Sequence, residues 1–290
     1  MSTFLLINPL SGSYSAALCR QLLSQLESVD INPEVLTVTS PEDARRVCGQ
    51  IEALVENPVV IIAGGDGTIN AVINSLTPGR ATVGIIPVGT ANVLAHELGI
   101  SSLATSIECI ARGNTRHLAV GLIERENGFS QRFVLMAGIG LDGIIVQGVR
   151  AREKRLLKKG AYLLSSLRTL LNWPRGHFLL EVNGYTQECH SVVICNGARY
   201  GGNLKLVPEA EIFEPTLDFF CITSASRLSY LKIVRSVLAG AAGQNRDVTL
   251  LRGTQAVVFG GRPIQVDGDY CGRAPVKIGT LANFVKIYTP

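Results

Sequence analysis

The sequence contains the stretch Pro58-Val59-Val60-Ile61-Ile62-Ala63-Gly64-Gly65-Asp66-Gly67-Thr68, an apolar run that leads into a glycine-rich turn. The run predicts a buried parallel strand, and the pattern of residues 69–76 predicts a helix after the turn. Glycines there permit positive φ angles and close approach of a ligand, and the N–H groups of a helix N-terminus suit phosphate oxygens. Because the Asp66 carboxylate would repel a bare phosphate, we expect a bridging Mg²⁺. The stretch is therefore either a nucleotide triphosphate site with a metal or a tight turn without a ligand.

The composition indicates a globular protein with a large core, because 47% of the 290 residues are hydrophobic and 17% are charged. A net charge of +4 is too small to indicate nucleic-acid binding. No apolar run reaches the roughly 18–20 residues of a membrane-spanning helix, and the N-terminus lacks the basic region of a signal peptide. The seven cysteines include no Cys-x-x-Cys pair, which argues against disulfides and zinc. We therefore expect a cytoplasmic protein.

Predicted strands alternate with predicted helices in the first part of the chain. This alternation indicates a doubly wound, mostly parallel sheet, in which ligands bind beyond the carboxyl ends of the strands. Near Thr115 the pattern changes to hairpin signals, which predict a second, mainly antiparallel domain that also contains helices near residues 150–171 and 228–238. The hairpin signals are Asn127-Gly128, Asn183-Gly184, Arg252-Gly253 and Asp267-Gly268.

Two other loops follow predicted strands and are expected at the same edge of the sheet. In Pro87-Val88-Gly89-Thr90-Ala91-Asn92, Thr90 offers a hydroxyl and an N–H group to a phosphate. Asn92 either contacts a phosphate or caps the next helix. Asn8, after the first strand, either contacts the ligand or shapes its own loop.

Two acidic clusters are candidates for chemistry. Asp267 and Asp269 flank Gly268, so this stretch is either a plain hairpin turn or a place where a carboxylate takes a proton from an acceptor hydroxyl. The second cluster is either a divalent-cation loop with oxygen ligands or a solvated loop. It comprises Glu209, Glu211, Glu214 and Asp218.

Residues 150–175, from Arg150 to Arg175, carry eight Lys and Arg residues against the single Glu153, together with many leucines and Trp173. Such a segment suits the surface of an anionic membrane, or else is a packed helix with a solvated basic end. Gly138-Ile139-Gly140-Leu141-Asp142-Gly143 matches the dinucleotide-binding pattern by letter but lacks a surrounding βαβ unit. We expect close backbone packing there.

In this order the motifs resemble the catalytic domain of diacylglycerol kinases, especially the small bacterial lipid kinases, over nearly the whole chain. The Gly-Gly-Asp-Gly turn alone is shared with NAD kinases and phosphofructokinases. The resemblance implies an α/β nucleotide-binding domain at residues 1–118, which the final strand at residues 282–290 joins. It also implies an antiparallel β-sandwich domain for the lipid substrate at residues 119–281. The matching motifs are Asn8-Pro9 with Ser11-Gly12, residues 64–68 with Asn70, residues 87–92, residues 137–143, Asn196-Gly197 with Gly201-Gly202, Pro208-Glu209-Ala210 and Asp267-Gly268-Asp269.

The resemblance also implies roles for individual residues. Asp267 matches the general base and Asp269 its acidic partner, while Asp66 is the expected ligand of the catalytic Mg²⁺. A structural Mg²⁺ is implied at Glu211, Glu214 and Thr216, in part through main-chain carbonyls. The ATP-binding residues are expected to be Asn8, Thr39, Gly64, Gly65, Asp66, Gly67, Thr68, Asn70, Gly89, Thr90 and Asn92.

The chain departs from the family pattern at a few positions. Val93 stands where many members have Asp, Ala71 where Glu is common, and Glu214-Pro215 where the structural metal loop usually has Asp-Gly. We expect an ATP- and Mg²⁺-dependent lipid kinase of phospholipid metabolism, at the inner membrane face, without a nucleic-acid partner. A soluble-substrate kinase of the NAD kinase type and a catalytically lapsed lipid- or nucleotide-binding regulator are the alternatives. Diacylglycerol, phosphatidylglycerol and sphingoid bases are all open as acceptors.

Overall fold

The computed structural model describes residues 2–149, 159–202 and 204–290. The chain divides into two compact units. The first comprises Met1–Ala119, Arg199–Asn203 and Ala282–Pro290, and the second comprises Val120–Ala198 and Leu204–Leu281. Within the described residues, no helix is long and apolar enough to cross a bilayer.

The first unit is a parallel sheet with helices, as the sequence predicts. Its strands pair in parallel in the order β2-β1-β3-β4, and the end of a long last strand, β18 (Val276–Tyr288), pairs in parallel with β4 through Lys286 and Thr82. The four strands are β1 (Thr3–Ile7), β2 (Glu34–Thr37), β3 (Val59–Gly64) and β4 (Thr82–Pro87). The helices are α1 (Ala16–Glu27), α2 (Pro41–Leu54), α3 (Asp66–Ser75), α4 (Val93–Glu97) and α5 (Leu103–Arg112).

Local sequence explains where these elements begin and which strand is central. Ser15, Ser40 and Ser102 cap α1, α2 and α5, each by accepting an N–H bond in the first turn of its helix. Every residue of β3 is buried, as expected for a parallel strand that is covered on both faces. The carboxyl ends of β1, β3 and β4 therefore lie side by side at one edge of the sheet.

The second unit is an antiparallel sandwich. One layer has the strand order β14-β13-β10-β7-β16-β17, and the other joins the first part of β18 to β15, β8 and β9. Apolar side chains of both layers, such as Phe219 and Leu180, form one buried core. The remaining strands of the chain are β5 (Thr115–Glu124), β6 (Ser130–Phe133), β7 (Met136–Ile139), β8 (Phe178–Val182), β9 (Tyr185–Cys189), β10 (Ser191–Cys195), β11 (Arg199–Tyr200), β12 (Leu204–Lys205), β13 (Leu217–Ile222), β14 (Val248–Gly253), β15 (Ala256–Val258), β16 (Pro263–Val266) and β17 (Asp269–Arg273). The helices of this unit are α6 (Leu141–Gln147), α7 (Lys159–Leu171) and α8 (Arg227–Leu238), with a 3₁₀ turn at Ala242–Gln244.

Two hairpin predictions are confirmed by backbone geometry. Asn183-Gly184 joins β8 to β9 with φ angles of 47° and 86°, and Asp267-Gly268 joins β16 to β17 with φ angles of 45° and 88°. Two residues with positive φ between paired strands are the mark of a type I′ turn.

The hairpin prediction at Arg252-Gly253 is wrong. β14 ends at Gly253 and pairs with β13, whereas β15 pairs with β8 and β18, so the chain passes from one layer of the sandwich to the other at this point. A letter pattern of Arg-Gly between apolar runs does not distinguish a tight turn from such a crossing.

Two helix predictions in the second unit have different outcomes. The helix near residues 228–238 is confirmed as α8. The predicted helix at residues 150–171 is described only from Lys159 onward, as α7, because residues 150–158 lie outside the described residues. The same holds for the basic residues from Arg150 to Lys158 in the segment that was predicted to contact a membrane.

Candidate active site

The glycine-rich turn at residues 64–68 joins a strand to a helix, as predicted. β3 ends at Gly64 and α3 begins at Asp66, with Gly65 as its N-cap. The prediction of positive φ angles is wrong: Gly65 has a φ of −89°, and Gly64 and Gly67 also avoid the left-handed region. Glycine is needed for space instead, because a Cβ on Gly64 would lie 2.7 Å from the Cβ of Thr68. The first N–H groups of a helix have no intrahelical acceptor, so this end of α3 suits an anion.

The loop at residues 87–92 packs directly on this turn. A Cβ on Gly89 would lie only 2.5 Å from the Cα of Gly65, so position 89 needs glycine, and a Cβ on Gly65 would make a tight contact of 3.1 Å with the Cα of Gly89. Asn92 has a left-handed backbone with φ 47°, its Oδ1 accepts from the Gly89 N–H at 2.8 Å, and its Nδ2 donates to the Gly89 carbonyl at 2.9 Å. Asn92 is the N-cap residue of α4, and its carbonyl accepts from the His96 N–H at 3.0 Å, but its side chain bonds no N–H group of that helix. Asn92 closes the loop, and Thr90 at its tip is exposed.

Asp66 lies where these two loops meet. Its Oδ1 accepts from the Leu94 N–H in the first turn of α4, at 3.3 Å. Burial raises the pKa of the Asp66 carboxyl above its ordinary value, and backbone N–H groups, first that of Leu94 and then that of Val93, offset part of the rise. A carboxylate that is ionised in a partly buried place is stabilised by a nearby cation. Asp66 thus fits the ligand role for Mg²⁺, a hard cation that prefers oxygen.

Asn8 connects the end of β1 to α3. Its Nδ2 donates to the Thr68 Oγ1 at 2.7 Å, and its Oδ1 accepts from the Leu10 N–H at 2.8 Å. Thr68 is buried, so its hydroxyl is held in one place by this bond. Asn8 therefore shapes its own loop and orients the Thr68 hydroxyl at the start of α3, and its contact with the ligand stays a prediction.

The other predicted nucleotide contacts are less constrained by the protein. Thr39 is exposed, and its hydroxyl donates to Asp43 Oδ2 at 2.5 Å at the start of α2. Asn70 Oδ1 accepts from Asn74 Nδ2 one turn further along α3, at 2.7 Å. Gly67, like Thr90, is exposed. Their role in binding ATP stays a prediction.

The predicted general base lies in the second unit, and backbone groups hold its carboxylate. Asp267 Oδ2 accepts from the Val134 N–H at 2.7 Å, while Oδ1 accepts from the N–H groups of Leu135 at 3.0 Å and Met136 at 2.9 Å. An ionised carboxylate has about four acceptor positions, so these bonds use most of them and fix its orientation. The sequence left open whether this stretch is a hairpin turn or the place of a general base. The two are compatible, because Asp267 lies in the hairpin turn and its carboxylate has a fixed orientation. Asp269, the predicted partner, is exposed.

The structure adds residues around Asp267 that the sequence reasoning did not assign. Gln265 Oε1 accepts from the Gly268 N–H at 2.8 Å, and Gln265 Nε2 donates to Asp142 Oδ2 at 2.7 Å. The Tyr162 hydroxyl donates to the Gly268 carbonyl at 2.9 Å. Helix α6 begins at Leu141, directly after Gly140 with φ 92°, and Asp142 lies in its first turn. The expected close packing at residues 138–143 is confirmed, because a Cβ on Gly138 would overlap Asp142, but the helix that follows was missed.

In the acidic loop of the second unit, an arginine already supplies a positive charge. Arg252 Nε and Nη2 donate to the two oxygens of Asp218 at 2.8 and 2.9 Å, and Nη2 also donates to the Glu209 carbonyl at 2.8 Å. Hydrogen bonding to Asp218 raises the pKa of Arg252, and the charges of Asp218, Glu214 and Glu209 add to the rise. Within the described part of the chain, no three His, Cys, Asp or Glu side chains converge on a possible metal position.

Glu211, Glu214 and Thr216 were expected to hold a structural metal in part through main-chain carbonyls, which the absence of converging side chains among the described residues does not test. Both Glu side chains are exposed, and the Glu211 carbonyl accepts from the Glu214 N–H at 3.0 Å within the loop's own turn. The structural Mg²⁺ at these residues stays a prediction. The alternative is that Arg252, paired with Asp218, supplies the positive charge of the loop, and a stability measurement can distinguish the two.

We expect Arg252→Gln to lower the free energy of unfolding by about 1–3 kcal/mol, because it leaves the largely buried Asp218 carboxylate without its bidentate partner. Urea unfolding measures the loss, with the exposed Arg20→Gln as the matched control. If Arg252 is the cation of the loop, millimolar Mg²⁺ without nucleotide will change the Tm of the wild type and of Glu211→Gln by the same amount. A rise of the wild-type Tm with Mg²⁺ that Glu211→Gln abolishes would instead support the structural metal.

Comparison with known proteins identifies the family. Residues 2–123 match the family described as Diacylglycerol kinase catalytic domain, and residues 136–289 match the YegS C-terminal NAD kinase beta sandwich-like domain. The chain belongs to the diacylglycerol kinase catalytic-domain family. The predicted fold, an α/β domain followed by an antiparallel sandwich, is thereby confirmed together with the resemblance. Membership supports a kinase, and a kinase of this family implies ATP as phosphoryl donor.

Relatives of this diacylglycerol kinase family member cover nearly its whole length. A Bacillus subtilis protein named diacylglycerol kinase is 26% identical over 93% of this chain and 90% of its own length. A Mycobacterium tuberculosis protein of the same name is 25% identical, over 98% of this chain and 94% of its own. Two crystal structures from Bacillus anthracis cover the whole chain with TM-scores of 0.81 and 0.77, at 24% and 23% identity, and 95% and 97% of their own lengths. At that identity the structures show the shared fold.

Proposed function

We propose that the chain transfers the γ-phosphoryl group of ATP to a hydroxyl of a diacylglycerol-like lipid at a membrane surface. The proposal rests on one observation: two structural features occur together in a member of this family. The first is the glycine turn with Asp66 at the start of α3, and the second is the oriented carboxylate of Asp267. Phosphoryl transfer needs mostly positioning and charge neutralisation, which loops and carboxylates supply.

In the proposed reaction, Gly65, Gly67, Thr68 and Thr90 hold the phosphates through backbone N–H and hydroxyl groups. The lipid hydroxyl loses its proton to Asp267 as its oxygen bonds to the γ-phosphorus, and the bond from that phosphorus to the β,γ-bridging oxygen breaks. The products are ADP and a lipid phosphate monoester. Mg²⁺, when bound at Asp66, would neutralise charge on the phosphates. Asp269 is proposed as the acidic partner of Asp267.

The domain roles follow the same proposal. Residues 1–118, with residues 282–290, bind the nucleotide, and residues 119–281 bind the lipid. A cytoplasmic location with peripheral contact at the inner membrane face, through residues 150–175, belongs to the proposal as well. The NAD kinase-like name of the matched C-terminal domain keeps a soluble acceptor as the second candidate.

A lipid-extract screen tests this proposal and identifies the acceptor. The purified protein is incubated with γ-labelled ATP, Mg²⁺ and a total bacterial lipid extract, and the organic phase is resolved by chromatography. We expect label in a lipid phosphate that comigrates with phosphatidic acid. Label confined to an aqueous product formed from NAD would favour the soluble-substrate kinase. ATP binding without transfer to any acceptor would favour a lapsed regulator.

A further inference from the structure

Helix α7 has its polar and apolar sides reversed relative to an ordinary surface helix. Ser165 and Thr169 are buried, with 1% and 7% of their surfaces exposed, and their hydroxyls donate to the carbonyls of Ile145 and Ser165. Leu171, one turn from Leu167, is 81% exposed, and Leu167 and Leu170 are exposed as well. In an ordinary surface helix, one side packs on the core and the other faces water. The leucines would then lie on the buried side and the hydroxyls on the exposed side.

Helix α8 shows an apolar face of the same kind. Leu228, Leu231 and Leu238 are 68%, 65% and 67% exposed and recur at helical spacing, with Val234 also exposed between them. Ile233, on the opposite side of the helix, is buried. The buried side anchors α8 to its unit, and the exposed side carries large apolar residues that nothing described in the structure covers.

Trp173 brings the two helices together within the second unit. Its Nε1 donates to the Ala225 carbonyl at 2.6 Å, just before α8, and its ring meets the Tyr230 ring edge-on at 5.1 Å. The Arg227 guanidinium lies 5.8 Å from the centre of the Trp173 ring. Leu171 and Leu228 line the same surface depression, so the end of α7 and the start of α8 form one surface.

The charge of this surface has a single sign. Residues 159–177 and 224–246 contain no Asp or Glu. The exposed residues Arg175, Arg227, Lys232 and Arg235 border the exposed leucines. Exposed apolar residues, flanking basic residues and a Trp at the border are the features of a helix that lies in the interface of an anionic bilayer.

We propose that the exposed faces of α7 and α8, which we call the α7–α8 face, dock the protein on an anionic lipid bilayer. The leucines enter the boundary between headgroups and acyl chains, and the basic residues contact the anionic headgroups. This inference rests on the proposed function for its meaning, since a lipid kinase must reach its substrate in a membrane. It adds helix α8 to the membrane-contact segment predicted at residues 150–175. It also names the apolar side chains that enter the bilayer.

Vesicle binding tests the α7–α8 face without depending on kinase activity. The full chain is sedimented with vesicles of phosphatidylcholine containing 30% phosphatidylglycerol at about 0.1 M salt. We expect the variant Leu228→Gln/Leu231→Gln/Leu238→Gln to bind at least tenfold more weakly than the wild type. The matched control is Leu54→Gln, which changes a 79% exposed leucine of α2 in the other unit and is expected to bind like the wild type.

Charge is tested separately. The variant Arg227→Gln/Lys232→Gln/Arg235→Gln is expected to bind the anionic vesicles roughly a hundredfold more weakly, and the loss should shrink as salt is raised. All changed residues are exposed, so circular dichroism and the Tm should match the wild type. The same vesicles without phosphatidylglycerol should bind the wild type weakly.

The outcomes separate this inference from the proposed function. If the leucine variant loses vesicle binding but still phosphorylates a short-chain lipid dispersed in detergent, both stand. If the wild type binds vesicles through this face but transfers no phosphoryl group, the docking surface stands and the proposed function fails. Equal vesicle binding by wild type and leucine variant would overturn the inference. The inference would also be overturned if the wild type did not bind vesicles and instead eluted as a dimer in size-exclusion chromatography, while the leucine variant eluted as a monomer.

Discussion

Asp267→Asn is expected to lower kcat about a thousandfold while leaving the Kd for ATP unchanged. A positioned general base contributes roughly 10²–10⁴ in rate, and the amide cannot take the proton of the lipid hydroxyl. The residues proposed to bind the nucleotide lie in the other unit, so the affinity for ATP should survive. Single-turnover transfer of label to lipid and equilibrium binding of a nonhydrolysable ATP analogue measure the two quantities.

The choice of asparagine follows from the turn. Position 267 has a φ of 45°, which Asn tolerates, and an Asn Oδ1 can still accept from the Leu135 and Met136 N–H groups. Asp267→Ala should also abolish transfer, but it leaves three backbone N–H groups without their acceptor and should lower the Tm. Asp247→Asn, in the same unit, is the matched control. Full turnover by a correctly folded Asp267→Asn variant would refute the assignment of Asp267 as base.

Asp66→Asn is expected to lower kcat by about two to three orders of magnitude and at the same time to raise the Tm at neutral pH. The activity falls because the amide is a poor ligand for Mg²⁺ beside the phosphates. The Tm rises because burial raises the pKa of this carboxyl, so the ionised form costs free energy in the folded state. An Asn at this position can still accept from the Leu94 N–H.

The pH dependence of the rise in Tm follows from the direction in which the pKa of Asp66 is shifted. The folded protein holds a proton on Asp66 more tightly than the unfolded chain, whose ordinary value is 3.8. The stabilisation from this proton is complete below pH 3.8 and is lost as the pH rises through the raised native pKa. The advantage of Asp66→Asn should therefore be largest near neutral pH and vanish on acidification. Thermal unfolding in metal-free buffer measures it, with the exposed Asp30→Asn as control; a lower Tm for Asp66→Asn at neutral pH would contradict the argument.

The central elements of the first unit could be predicted from local sequence because each carries its own signal. The apolar run of β3, the Ser40-Pro41 start of α2 and the glycine turn are all set by residues next to one another. The reason for the glycines was not predictable in this way. Gly65 and Gly89 lie far apart in sequence and need to be small because their backbones touch, which only the folded loops reveal.

The second unit was harder to predict, since its important contacts join distant residues. The turn at Asp267-Gly268 follows from two letters, but the three N–H groups that hold the Asp267 carboxylate come from residues 134–136. In the same way, the sequence placed Arg252 in a predicted hairpin turn, but in the structure it pairs with Asp218 on the neighbouring strand. The reversed polarity of α7 was visible only once Ser165 and Thr169 proved to be the buried side.

A crystal structure of the protein with a nonhydrolysable ATP analogue, Mg²⁺ and a diacylglycerol analogue tests the central claim most directly. The account predicts the γ-phosphate on the N–H groups at the start of α3, with Asp66 at the metal. It also predicts the acceptor hydroxyl between that phosphate and Asp267, within hydrogen-bond distance of the carboxylate. A γ-phosphate bound away from residues 64–68, or an acceptor hydroxyl far from Asp267, would contradict it.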